Sequence, residues 1–152
     1  MKAVLAIAAG MTVSILKDTQ DMLHKVNDVK WTSEKAKAAM PLIIKQWNDL
    51  DIEHDPDPIR IIKQCKLILK GMLVILKLDY DANINGAEEM KGQAQKSIED
   101  DDETGMDALV KGLLGLSLQS DAETDKKLMK EIIELLEKYF SVYNKHLQIT
   151  TG

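Results

Sequence analysis

The sequence predicts an all-α fold, a single-domain and mostly antiparallel bundle of four to five principal helices around a central apolar helix at residues 58–80. Three observations lead to this prediction. Apolar residues recur at three- and four-residue spacings along most of the chain of 152 residues. Only three prolines and eight glycines occur, too few for the frequent turns of a sheet protein. The most apolar long stretch, residues 58–78, contains no acidic residue.

Composition and charge limit the classes of function. A hydrophobic content of 45% with 30% charged residues is typical of a soluble globular protein. The formal net charge of −5 opposes broad binding to nucleic-acid phosphates. Cys65 is the single cysteine, so we expect a small buried hydrophobic residue rather than a disulfide or a cysteine-based metal cluster. The chain length fits one helical-bundle domain over residues 1–147, followed by a frayed tail at 148–152.

The first helix is predicted over residues 2–30, and its beginning, residues 3–16, is apolar nearly all round. Such a segment is either deeply packed or inserted into another apolar environment. A basic start followed by an apolar run is also typical of a signal peptide, but no cleavage site is well placed. The run is shorter than the ~20 residues that cross a bilayer. We expect a cytoplasmic protein, with secretion as the alternative.

Capping residues predict where the next two helices begin. Ser33 is a candidate N-cap for a second helix that ends near residue 52 and bends at Pro41. Asp57 followed by Pro58 is an N-cap with proline at the first helical position, which starts the central helix. Gly71 inside that helix predicts a crossing at which another helix comes close.

Turn-forming residues predict that the central helix ends soon after residue 78. The stretch 79–86, D-Y-D-A-N-I-N-G, predicts a turn, and a polar helix at 87–98 is expected to follow. Residues 99–103 are five consecutive acids and predict a solvated loop. A short helix is predicted at 106–118. Ser120 and Glu123 match a capping box, so a last helix is predicted from there to about residue 147.

The same turn suggests a calcium site. Asp81, Asn83 and Asn85, followed by Gly86, match the first six positions of a calcium-binding helix–loop–helix motif. The twelfth position is Gly92 where that motif has a bidentate glutamate. An Asx-rich turn without metal is the alternative interpretation. A weak calcium-binding regulatory domain is therefore one candidate function.

A strip of basic residues on the central helix is the candidate surface for binding a partner protein. Its members share one sign of charge and helical spacing: Arg60, Lys63, Lys66, Lys70 and Lys77. One interpretation is that the strip binds an acidic partner. The other is that it is the solvent-facing line of a buried helix, with lysine stems covering apolar surface.

No constellation of catalytic residues is recognisable, so we expect neither an enzyme nor a bound cofactor. The first functional hypothesis is a non-enzymatic adaptor or regulatory module that binds another protein and no nucleic acid. The alternative is an apolar-ligand-binding or membrane-active domain that uses residues 3–16. Four methionines are candidates to line its ligand pocket, although simple core packing also explains them: Met11, Met22, Met40 and Met72. The sequence makes no prediction of the oligomeric state.

Overall fold

The computed structural model describes residues 2–50, 57–99 and 105–141, with the side chains of residues 2–9, 11, 106 and 141 outside the description. These ranges contain no strand, and the predicted all-α class is confirmed. Four helices share many contacts, namely α1 (Lys2–Asn27), α2 (Glu34–Asn48), α3 (Pro58–Glu99) and α4 (Met106–Leu136). A π-helical turn, Glu137–Ser141, follows α4 directly. Helix α3 contacts each of the other three helices and is the centre of the arrangement.

The predicted starts of α2 and α3 are confirmed. Ser33 has extended backbone angles, and its Oγ accepts a hydrogen bond of 3.2 Å from the backbone N–H of Ala36. The Asp57 carboxylate accepts the backbone N–H of Ile59 at 3.1 Å, immediately before α3. Pro41 lies inside α2, which continues through it to Asn48.

Two predicted boundaries are wrong, because α3 and α4 are each one long helix. Residues 79–86 form no turn, and α3 runs from Pro58 through the predicted helix at 87–98 to Glu99. The Ser120 capping box lies inside α4, where the Thr124 hydroxyl donates to the Ser120 carbonyl at 3.2 Å. Residues 100–104, which contain four of the five consecutive acids, and the chain from 142 onward, including the predicted tail at 148–152, lie outside the described residues.

Burial explains why the residues at 79–86 do not break α3. Aspartate and asparagine favour turns when their side chains bond to nearby backbone groups. Asp79 and Asn83 are instead fully buried, and their side chains bond to the backbone just before α2, to α4 or to each other. Their polar atoms therefore do not compete with the backbone hydrogen bonds of the helix.

Two clusters of buried side chains form the core. The larger draws residues from all four helices, among them Val26, Met40, Leu69, Met72 and Ile132. The smaller lies at the end of the molecule where α3 begins, and its members are Ile15, Ile61, Ile62, Cys65, Tyr139 and Phe140. Cys65 is fully buried, as predicted, and burial raises the pKa of its thiol to about 11, with the neighbouring Thr19 hydroxyl partly opposing the shift.

Gly71 marks a close helix crossing, as predicted. A Cβ atom built at this position would lie 2.5 Å from Cδ1 of Ile43 on α2. Ile43 is itself buried, so its side chain fills the space beside Gly71, and an added Cβ there would require the Ile43 side chain to move.

The last part of α3 and the first part of α4 extend as a helix pair, which we call the arm (residues 84–99 and 105–121). Gly86 of α3 faces Leu118 of α4, and Gly115 of α4 faces Met90 of α3, so the two helices pack side by side in opposite directions. The main core cluster contains no arm residue. Large apolar side chains are exposed along the arm: Ile98, Leu109, Val110, Leu113, Leu114 and Leu116.

Candidate functional site

The predicted basic strip lies along the surface of the first half of α3. Arg60, Lys63, Lys70 and Lys77 are exposed, and Lys66 is half-buried. The Lys66 ammonium stands 5.0 Å from the centre of the Phe140 ring, so its stem and charge help to cover the smaller core cluster. Four of the five predicted residues are therefore accessible, whereas Lys66 has a packing role.

Apolar side chains are interleaved with these charges, which the sequence analysis did not expect. Leu67 is 56% exposed, Val74 61% and Leu78 40%. Seven- and four-residue spacings place these three residues in one row along the helix. The surface made by Arg60, Lys63, Lys70 and Lys77 together with this row is called here the α3 outer face.

The charges of the α3 outer face are not equivalent. The Lys77 ammonium lies 2.8 Å from the Asp81 carboxylate and 5.2 Å from the centre of the Tyr80 ring. The hydrogen bond to Asp81 raises the pKa of Lys77. Since Asp81 offsets the charge of Lys77, the positive potential of this face is concentrated around Lys63 and Lys70.

The structure does not form the loop that the calcium hypothesis requires. Asp81, Asn83 and Asn85 all lie on the continuous helix α3, with Asp81 and Asn85 exposed and Asn83 buried. Residues two apart on a helix differ by ~200°, so the buried Asn83 points away from Asp81 and Asn85, and the three side chains do not surround one ion. Within residues 2–50, 57–99 and 105–141, no group of three or more His, Cys, Asp or Glu residues could hold a metal ion.

Three of the four candidate methionines belong to the core. Met22, Met40 and Met72 are all buried in the larger core cluster, while the side chain of Met11 is outside the description. The structure thus brings three of the four predicted residues together, but in a packed interior.

A buried polar cluster, Asp79, Asn83 and Asp125, joins three elements at the centre of the molecule. All three side chains are 0% exposed. One Asp79 oxygen accepts the backbone N–H groups of Thr32 and Ser33, at 2.7 and 2.8 Å. The Asn83 amide donates to Asp79 at 3.2 Å and to Asp125 at 3.0 Å. The cluster therefore holds the start of α2 and the middle of α4 against α3.

The environment of this cluster favours a proton on Asp125. Burial raises the pKa of the Asp125 carboxyl to about 8, helped by a hydrogen bond to Asp79 and by repulsion from Asp79 and Asp121. The Asn83 amide opposes the shift. The raised pKa favours the neutral form of the Asp125 carboxyl in the folded chain near neutral pH.

Sequence reasoning missed this cluster although its signal was present. Asp79 lies one heptad after Met72, and Asn83 one heptad after Leu76, both fully buried residues. Asp125 likewise lies one heptad before Ile132. Polar residues that continue the buried face of a long helix indicate a buried network, whereas the Asx-rich pattern was interpreted as a turn.

Comparisons with protein-family models, with curated protein sequences and with solved structures find no match to this chain. Among the described residues, no helix is long and apolar enough to span a membrane.

Proposed function

We propose that this chain is a non-enzymatic helical interaction module that binds an acidic, amphipathic helix of another protein on the α3 outer face. The observation that carries the proposal is the row of exposed apolar residues, Leu67, Val74 and Leu78, among lysines of one sign. The proposal includes the arrangement of residues 1–147 as one mostly antiparallel bundle, which supplies a rigid platform for this face.

The chemistry of the face matches a helical ligand. A helix binds to another helix through apolar residues at three-, four- and seven-residue spacings, which is the spacing of the exposed row. Lysines beside such a row attract acidic residues that flank the apolar stripe of the ligand. The rim charges would act mainly on the association rate and on the choice of partner, and the apolar row would supply most of the affinity.

The fold does not require the outward-facing residues. The opposite side of the same helix carries Ile68, Leu69 and Met72, each 0% exposed, and these side chains form the core. Substitutions on the outer face are therefore expected to leave the free energy of unfolding within about 0.5 kcal/mol.

A synthetic helical peptide is the direct probe of the proposal. We would use a fluorescein-labelled peptide with leucines at i, i+4, i+7 and i+11 flanked by glutamates, and a matched peptide with lysines in place of the glutamates. Fluorescence anisotropy should show binding of the acidic peptide, weakened by salt. The variant Lys63→Glu/Lys70→Glu should bind it at least ~10-fold more weakly, as should Val74→Asp.

The control is Lys35→Glu/Lys37→Glu, which reverses two exposed charges on α2 and should leave the affinity unchanged. Equal affinity for both peptides, or no effect of the α3 substitutions, would contradict the proposal. Sedimentation with vesicles rich in phosphatidylserine provides a second comparison. Binding to vesicles without binding to the acidic peptide would replace the protein partner with a membrane surface.

A membrane-active N-terminus is the second candidate function. Gly10 is exposed and Val13 is 73% exposed, so α1 presents apolar surface to solvent in this region. An apolar helix segment with a basic residue near its start can act as an interfacial helix, and Val13 is the described side chain that would contact the membrane. This candidate is tested below by truncation.

A further inference from the structure

The buried polar cluster lies where the arm meets the packed part of the molecule. Asn83 directly precedes the arm on α3, and Asp125 lies four residues after the arm on α4. On the packed side of the cluster, Ile132 is fully buried in the core. Within the arm, the buried residues among the described side chains are small, namely Ala87 and Gly115. The cluster therefore stands between a well-packed region and a helix pair that buries little apolar surface.

The two carboxyls of the cluster differ in the hydrogen-bond donors that reach them. Asp79 accepts three N–H groups, two from the backbone before α2 and one from the Asn83 amide. Asp125 shares the Asn83 amide, and its second oxygen, Oδ1, is buried without a hydrogen-bond partner. The Asn83 Oδ1 atom, also an acceptor, is likewise buried without a partner. Negative charge is therefore stabilised better on Asp79 than on Asp125.

The charged side chains that act on Asp125 are both acidic among the described residues. Asp79 faces it from α3, Asp121 lies one turn earlier on α4, and both raise the pKa of the Asp125 carboxyl. Within the described ranges, α1 and α2 add no charged side chain to this set. Burial is the largest cause and brings this pKa to about 8. Loss of the proton from Asp125 thus places a second negative charge in a buried site.

Opening towards the arm is the response that relieves this charge at the lowest cost. An ionised Asp125 is stabilised once its carboxylate reaches water, so the favoured opening is the one that breaks the fewest buried contacts. Movement of the later part of α4 would pull Ile132 out of the core. Movement of the earlier part would separate only the arm helices, which meet at contacts such as that of Gly86 with Leu118.

We propose that the buried polar cluster is a protonation-controlled latch for the arm. With a proton on Asp125, the first half of α4 is held against α3. Loss of that proton to solvent releases residues 106–125 from α3 while the packed region stays folded. Because one proton is involved, the opening equilibrium changes by at most ~10-fold per pH unit. The pH thus controls how much of the apolar surface between the arm helices is accessible.

Hydrogen exchange of the full chain from pH 6 to 9, with exchange times corrected for the intrinsic rate, tests the latch. Peptides covering residues 107–124 should be less protected than peptides covering 61–76, because the arm opens without global unfolding. Their protection should fall by up to ~10-fold per pH unit above about pH 8. In Asp125→Asn, whose side chain does not ionise, this fall should disappear. Glu123→Gln, an exposed position on the same helix, is the control and should keep the wild-type dependence.

A second variant tests which group titrates, and it remains informative if Asp125→Asn does not fold. Asp121 is half-buried and repels a charge on Asp125, so Asp121→Asn should lower the pKa of Asp125 and move the loss of protection to lower pH. An onset that stays in place or moves to higher pH would overturn the latch. So would wild-type protection of 107–124 that does not depend on pH, a dependence that persists in Asp125→Asn, or equal protection of the arm and the packed region.

Discussion

At the scale of single residues, Asp79 accounts for the way α2 meets α3. Its carboxylate binds the two backbone N–H groups that precede α2, which would otherwise be among the unpaired donors at the start of that helix. The Ser33 side chain caps the next turn. One helix start is thus satisfied partly by its own sequence and partly by a side chain 46 residues away.

The pH dependence of stability should report the proton on Asp125. The pKa of this carboxyl is raised from 3.8 to about 8 in the folded chain, so the folded state holds a proton that the unfolded state releases. Its contribution to stability is complete below about pH 4 and is lost as the pH rises through about 8. The slope is at most ~1.4 kcal/mol per pH unit.

Urea unfolding between pH 5 and 8 measures this effect. Asp125→Asn keeps a neutral side chain of the same shape and should remove most of the loss of stability with rising pH. Glu123→Gln, an exposed position on the same helix, is the control and should leave the slope unchanged. A wild-type slope that persists in Asp125→Asn would show that Asp125 is ionised in the fold.

At the scale of elements, α3 combines three surfaces on one helix. Its first half has a buried side facing the core and the α3 outer face towards solvent, and its second half forms the arm with α4. The crossing with α2 at Gly71 fixes how closely the first half can pack. The geometry of that crossing can be tested by adding a single methyl group.

Gly71→Ala should destabilise the fold although alanine favours helices. The gain in helix propensity is ~1 kcal/mol, but the new methyl group would meet Ile43 Cδ1 in a buried site, and overpacking costs ~1–3 kcal/mol. In an Ile43→Val background, which lacks Cδ1, the same change should become stabilising. Thermal unfolding of the four members of this double-mutant cycle gives the coupling energy.

Gly92→Ala is the matched control for the crossing. Gly92 lies on the same helix, is exposed, and has no atom within 4 Å of an added Cβ. This change should raise the free energy of unfolding by ~0.5–1 kcal/mol. Stabilisation of the wild-type chain by Gly71→Ala to a similar extent would contradict the close contact between residue 71 and Ile43.

At the scale of the whole molecule, the buried side chains are concentrated in one part of the fold. Both core clusters lie in the part where α1, α2 and the first half of α3 meet the second half of α4 and the π-helical turn that follows it. Before Ile15, no described residue belongs to either cluster. The arm is thus at the margin of the packed region.

Removal of residues 1–11 tests the membrane-active candidate without cutting into the described core. Ile15 is 0% exposed and is retained, so the truncated chain should keep its helical content over the remaining residues and a cooperative thermal transition. If the N-terminus is membrane-active, sedimentation of the full chain with anionic vesicles should be lost on truncation. Undiminished sedimentation would exclude the candidate, and loss of cooperative unfolding would show that residues 1–11 belong to the core.

The sequence alone determined the local features of this protein. Helical periodicity gave the all-α class, Ser33 and Asp57 gave two helix starts, and Gly71 gave a close crossing, because each depends on spacing or on backbone chemistry within a few residues. The basic strip was also found this way, since charge and helical spacing can be read directly.

Only the tertiary structure decided which polar residues are buried and which apolar residues are exposed. Asp79 and Asn83 look like a turn until Thr32, Ser33 and Asp125 are brought to them from other elements. Leu67, Val74 and Leu116 look like core residues until it is clear that no described helix covers them. Both outcomes depend on which partners arrive from distant parts of the chain, and this dependence is the physical reason that local patterns could not supply them.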